Sequence, residues 1–156
     1  DSKYGVGVEQ NSIELTLLRA ASSPEMGTDQ GEQRFRYGFT AWDGAFADAP
    51  VVKHGLAFNE PVAIVPGEAE TFSAFRTDAA NVIIDTLKPA EDGSGDLILR
   101  LYESKKADTY FHVLSGLPVK TIQRCDLLEN PVGELEEADA ALHVRPFEVL
   151  TLRVKL

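Results

Sequence analysis

The sequence is poor in the residues that build covalent or metal-bound sites. Cys125 is the only cysteine, so a disulfide within the chain is excluded, and a reducing compartment fits. The three histidines, His54, His112 and His143, lie far apart with neither H-x-H nor HExxH spacing, so no zinc site is indicated. Positive charge is scarce: 15 Lys and Arg stand against 25 Asp and Glu, a formal net charge of −10. Such a surface repels phosphate backbones and anionic lipid, which argues against nucleic acid or a membrane as partner. No apolar run approaches the ~18–20 residues of a membrane span, and no secretory leader is visible. Aromatic residues are 8%, with Trp42 the only tryptophan. There is no internal repeat and no low-complexity tract.

What remains is ordinary globular material. The 156 residues suit one domain, and 44% hydrophobic with 26% charged residues argues against disorder. The pattern is strand after strand. Ser12–Arg19 places Ile13, Leu15 and Leu17 on one face; Gln33–Trp42 does the same with Phe35, Tyr37 and Phe39, opposite Arg34 and Arg36. Alternation with period two predicts strands with one buried face. Further strands are expected at Thr71–Arg76, Asn81–Lys88, Asp96–Glu103, Thr109–Leu114, Val119–Leu127, Ala141–Val144 and Phe147–Lys155.

The breaks carry turn chemistry. KPAEDGSGD reads as a hairpin loop, VPGEAE as a turn, SGLPV as a break and NPVGELEEADA as a longer acidic loop. Ala20–Gly31 has no periodicity and is long for a loop in a compact domain, a feature often tied to function. Phe46–Phe58 is the one stretch suited to a short helix, limited by Pro50 and Gly55. Many short strands separated by turns predict an all-β, mostly antiparallel β-sandwich. The last strand runs to Leu156, whereas Asp1–Val8 reads as a segment arriving from a longer polypeptide.

Several constellations invite a chemical reading and fall short of one. Asp92, Ser94 and Asp96 alternate like a calcium loop, but the sharp-turn position is Leu97 rather than Gly, so a plain hairpin is expected. Glu134, Glu136, Glu137 and Asp139 read as a solvated acidic face in a mobile loop rather than a glycosidase pair set across a sugar. His112 alternates with Tyr110 and Leu114 and reads as a structural, half-exposed histidine. Cys125 reads as a small strand residue. Ser94, in GSG, lacks the strand-to-helix setting of a nucleophile elbow. No catalytic residue is assigned.

Five stretches in order are together more specific than any one of them: DSKYGVGV, LTLLRAASSPEMGTDQGEQRFRYGF, NVIIDTLKPAEDGSGDLILRLYE, RCDLLE and VRPFEVLTLRV. They resemble the C-terminal β-domain of glycoside hydrolase family 38 α-mannosidases, most of all the neutral cytosolic type and its bacterial relatives. The resemblance runs from Asp1 to Leu156, with one departure at Gln33, where relatives commonly carry His. It implies a single C-terminal β-sandwich domain, 1–156, of a larger cytoplasmic enzyme whose catalytic domain is absent here. That domain would hold a zinc ion and the two carboxylic acids of a retaining mechanism. None of those groups maps onto this chain, so it is expected to be inactive alone and to need no cofactor of its own.

The partners so implied are the catalytic domain of the same polypeptide and a mannose-containing oligosaccharide; a homo-oligomer is left open. Loops of this region approach the substrate rim in the family. That singles out Arg19, a five-donor fork at a strand end, and Asp29 and Gln30 in the long loop after it. Lys3 and Tyr4 are expected to order against the missing domain. Arg100 and Glu103 read as cross-strand or interdomain partners. Two alternatives stand beside this reading: an independent mannose-binding module using Trp42, Tyr4 or Tyr110, and a stand-alone interaction protein.

Overall fold

The computed structural model describes residues 5–60, 62–68 and 70–156. Lys3 and Tyr4 lie outside them. The chain divides into two compact units, Asp1–Ala41 and Trp42–Leu156.

In the first unit, β1 (Val6–Glu9) and β2 (Ser12–Leu15) form an antiparallel hairpin around the two-residue turn Gln10–Asn11. The strand expected to reach Arg19 therefore stops at Leu15. Gln33–Trp42 forms no strand at all. Its alternation is real, but it has no partner strand among the described residues to satisfy its main chain. Its apolar side chains stand in solvent, Tyr37 at 69% and Phe39 at 82% exposure.

The second unit holds the sandwich. After a 3-10 turn at Phe46–Asp48 comes α1 (Val51–Asn59), in the stretch suited to a helix. Pro50 stands immediately before it, where its fixed φ suits a helix start and its missing N–H costs nothing. The strands follow: β3 (Phe75–Thr77), β4 (Val82–Pro89), β5 (Leu97–Glu103), β6 (Thr109–Phe111), β7 (Val113–Ser115), β8 (Thr121–Cys125), β9 (Pro131–Glu137), β10 (Leu142–Val144) and β11 (Val149–Lys155). One five-stranded sheet has the order β4-β5-β11-β8-β9, and β10-β6 and β3-β7 form two short pairs. Every pairing is antiparallel.

The core lies between the layers. Leu99, Leu101, Ile122, Leu150, Leu152 and Val154 of the large sheet pack in one cluster with Phe111, Val113, Leu142 and Val144 of the short pairs. Alternation along β11 puts Leu150, Leu152 and Val154 on that face. The other face is not bare: Ile98, Thr151 and Cys125 are buried as well, so β5 opens with the apolar run Leu97–Leu99 instead of strict alternation. The all-β sandwich expected from the strand pattern is the fold observed.

The acidic stretch NPVGELEEADA departs from expectation. Its composition predicts a loop, but Pro131–Glu137 is the edge strand β9. Its pattern hid it, because an edge strand with Val132 and Leu135 exposed has no buried stripe to show. Glu134, Glu136 and Glu137 therefore sit on a sheet edge rather than in a mobile loop, with Asp139 in the turn that follows.

Candidate functional site

The rim candidates lie in the first unit. Arg19 is exposed, four residues past the end of β2, with no ion pair to a described residue. It does not end a strand, because the strand ends at Leu15. The chain turns directly after it: Ala20 has φ 47°, in the left-handed region, and the Ser23–Pro24 bond is cis.

Residues 25–30 form a tight local structure. The Thr28 hydroxyl donates to the Glu25 carbonyl at 3.1 Å, and the Gln30 side-chain amide donates to the Met26 carbonyl at 3.1 Å. Asp29 has φ 60° and Gly31 φ 98°. An aspartate tolerates the left-handed region better than most residues, and glycine occupies it freely. Two such residues flanking Gln30 fold the chain back, which directs one Gln30 donor onto its own loop. Asp29 is half-buried and Gln30 exposed. Arg19 is bonded to neither. The loop is thus a shaped surface element beside a guanidinium, Arg19, that forms no ion pair to a described residue.

The charged groups of the sandwich serve mainly to hold it together. Glu103 is 1% exposed. One carboxylate oxygen accepts from Asn81 Nδ2 at 2.8 Å and the Lys105 N–H at 2.7 Å; the other accepts the Phe147 N–H at 3.0 Å. Burial alone would raise its pKa, but these donors together outweigh it and hold the carboxyl below its ordinary value. Glu103, expected as a cross-strand or interdomain partner, is therefore an internal anchor. Arg100 reaches Thr151 across the sheet at 3.4 Å and the Leu127 carbonyl at 3.3 Å.

Arg153 of β11 occupies the centre of the β4–β5 hairpin loop. Its Nε donates to Asp96 at 2.7 Å, and its Nη2 reaches Asp92 and the Ser94 hydroxyl. A guanidinium, not a calcium ion, is what these alternating side chains bind. It holds Asp92 down to about 2, with the Ser94 N–H assisting. Sequence spacing could not reveal this partner, which lies 57 residues from Asp96.

Cys125 is buried, and burial raises its thiol pKa, as befits a packed strand residue. Trp42 is 43% exposed and follows no strand. Tyr110 is 72% exposed with its ring centroid 4.6 Å from that of His143. His143 Nε2 lies 2.8 Å from Asp108, and His112 is held through its other ring nitrogen, Nδ1, 2.8 Å from Asp78. Among the described residues, no three His, Cys, Asp or Glu side chains converge on a point that could hold a metal. No described helix is long and apolar enough to cross a membrane.

Comparison with known proteins gives these features a context. Residues 81–152 match the family described as the glycosyl hydrolases family 38 C-terminal beta sandwich domain. The chain is 35% identical to alpha-mannosidase 2C1 of Homo sapiens, over 100% of this chain and 16% of that protein. It is 30% identical to alpha-mannosidase G of Dictyostelium discoideum, over 98% of this chain and 15% of that protein. An alpha-mannosidase of Saccharomyces cerevisiae is 24% identical over 99% of this chain. The chain spans about a sixth of the length of the curated relatives it matches.

Proposed function

The chain belongs to glycosyl hydrolase family 38 and carries its C-terminal beta sandwich domain, and from that premise we propose that residues 1–156 are the non-catalytic C-terminal part of a zinc-dependent, retaining α-mannosidase. The polypeptide hydrolyses terminal α-mannosides in the cytoplasm. This part packs on the catalytic domain and lends the Arg19–Gly31 loop to the substrate rim. The observation that carries the reading is similarity to α-mannosidases over the full length of the chain.

The geometry supports the division of labour. The carboxylates held at low pKa in the sandwich are engaged by neighbouring donors, such as Arg153 on Asp92 and main-chain N–H groups on Glu103. A glycosidase instead needs one carboxyl poised to donate a proton and a second free to attack. The donor set does not fit zinc either, so the metal of the longer protein would be held outside the described residues. Apolar side chains of the first unit, Val8 at 73%, Ile13 at 66% and Phe39 at 82% exposure, give a partner domain something to cover. Arg19, exposed and without an ion pair to a described residue, can donate to sugar hydroxyls.

The test is steady-state kinetics of the α-mannosidase polypeptide that carries these residues. Arg19→Ala should lower kcat/KM for an α-mannoside about 10–100-fold, the loss of a charge-assisted hydrogen bond. Asp29→Ala and Gln30→Ala should have smaller effects. Unchanged kcat/KM in all three variants would remove the rim role.

A further inference from the structure

The second unit contains a groove that the rim reading does not use, and it originates in a gap in the smaller layer of the sandwich. β6 and β7 are nearly one strand, interrupted at His112. β10 borders β6, pairing Leu142 with Phe111, and β3 borders β7, pairing Arg76 with Leu114. The Asp78 N–H donates to the His112 carbonyl at 3.3 Å, and the Gly116 N–H donates to the Ala74 carbonyl at 3.1 Å. These bonds fix the phase of the ladder: residues 112, 114 and 116 turn their main chain to β3, so Val113 and Ser115 turn theirs the other way.

Continuing the β10 register would set Ala140 and Ala138 opposite those two residues. There, however, the chain is already in a turn, closed by the Ala140 N–H on the Glu137 carbonyl at 3.1 Å. The result is an open groove of about 680 Å³, within the usual size range of small-ligand sites.

Val113, Val119, Ile122 and Phe75 give the groove an apolar part of its lining. Three residues with different polar chemistry, Arg76, His112 and Asp139, also line it. Asp78 fixes His112 from behind, with Oδ2 2.8 Å from Nδ1 and Oδ1 accepting the His112 N–H at 2.7 Å. Holding one ring nitrogen sets the orientation of the other, Nε2. Neither Arg76 nor Asp139 has an ion pair to a described residue.

We propose that this groove is a saccharide-binding site that takes a neutral α-mannoside of one or two rings. The choice of α-mannoside rests on the function proposed above; the choice of a neutral polyol rests on the groove. A guanidinium only donates and a carboxylate only accepts, while a sugar hydroxyl does both, so a polyol can use an Arg76 donor and an Asp139 acceptor alike. An anion would face Asp139 and a surface of net charge −10, and a cation would face Arg76. The apolar part of the lining suits the C–H face of a pyranose. An extended peptide fits less well: β7 is three residues long, and only Val113 and Ser115 turn their main chain outward, too short a ladder for strand addition.

The experiment is an amide-shift titration of the isotope-labelled 156-residue chain with α-linked mannobiose, with maltose as control. Saturable shifts are expected at the amides of His112, Val113, Leu114 and Ser115, with a millimolar dissociation constant and weaker binding of maltose. Arg76→Ala and Asp139→Ala, both exposed residues, should weaken binding about tenfold each, and Arg19→Ala should leave it unchanged. Absence of shifts at these amides up to about 100 mM ligand would overturn the proposal. So would shifts confined to Arg19–Gly31, or binding indifferent to Arg76. The rim role is read separately, from the kinetics of the Arg19 variant, so either idea can fail alone.

Discussion

Glu103 and Phe147 lie 44 residues apart in sequence, and the Glu103 carboxylate accepts the Phe147 main-chain N–H at 3.0 Å. The bond joins the end of β5 to the approach to β11, where Phe147 has φ 57°. A non-glycine residue in the left-handed region needs support from its surroundings, and the buried carboxylate provides it.

Replacing that carboxylate should be among the most destabilising polar changes in the chain. Glu103→Ala leaves the Asn81 amide and the Lys105 and Phe147 N–H groups without their acceptor, at a cost of about 3–4 kcal/mol. Glu103→Gln preserves the shape but puts a donor where only acceptors are needed, for about 1–2 kcal/mol. Urea denaturation of the isolated chain measures both. Equal, small effects would show that the network is not an anchor.

Stability should fall in acid, and the sign follows from the shifts. Glu103, Glu129 and Glu148 are all held below the ordinary carboxylate value in the folded chain. Asp92 is held at about 2, chiefly by Arg153. A depressed folded pKa contributes stability above the unfolded pKa, near ~4 for these groups, and that contribution is lost as pH falls through the folded value. The urea midpoint should therefore be flat between about pH 5 and 8 and decline below about pH 5. Arg153→Met should flatten the part of the decline between about pH 4 and 2, since Asp92 then titrates near its unfolded value. Its cost at neutral pH should be modest on the Asp92 side, because that carboxylate is largely in solvent. An unaltered acid limb in this variant would argue against the clamp.

The apolar residues of the first unit should contribute little to the stability of the chain itself. Phe39 is 82% exposed and Tyr37 69%, so Phe39→Ser should move the urea midpoint by no more than about 0.5 kcal/mol in free energy. It should also reduce binding of an apolar dye, because it removes part of an exposed patch. A loss above about 1 kcal/mol would mean that the segment is packed after all.

How much of this was legible in the sequence depends on where each signal lay. β4, β5, β8 and β11 were readable because one or both faces are buried, and burial writes itself into the apolar pattern. The Gln33–Trp42 alternation was read correctly as a pattern and wrongly as a strand, because period two reports a preference and not the presence of a neighbour. β9 was missed for the opposite reason: at the edge, neither Val132 nor Leu135 is buried. The rim candidates Arg19, Asp29 and Gln30 came from family resemblance; Asp29 and Gln30 show in the sequence only as part of a loop without periodicity, and the alternation that extends the strand to Arg19 does not hold past Leu15. The groove at β7 had no sequence signal, since it arises from where β10 stops. Nothing local to His112 announces that Asp78, 34 residues earlier, holds its ring.

Gly116, just past β7, offers a sharp test of that region. A Cβ there would lie 2.6 Å from the Ser73 carbonyl oxygen and 2.8 Å from the Phe72 ring. The ring could swing aside, but the carbonyl belongs to the backbone leading into β3 and cannot yield without shifting the β3–β7 pair. Gly116→Ala should therefore cost about 1–3 kcal/mol, the usual penalty for overpacking. At Gly133 in β9, an added Cβ would meet only the Arg124 side chain, at 3.1 Å, so Gly133→Ala should cost less than about 1 kcal/mol. Because β3 supplies Phe75 and Arg76 to the groove, the two variants should also separate in sugar titration. Gly116→Ala should weaken the shifts at Val113 and Ser115, and Gly133→Ala should leave them intact. Equal stability losses in the two variants would mean that the approach of Ser73 to Gly116 is looser than its geometry indicates.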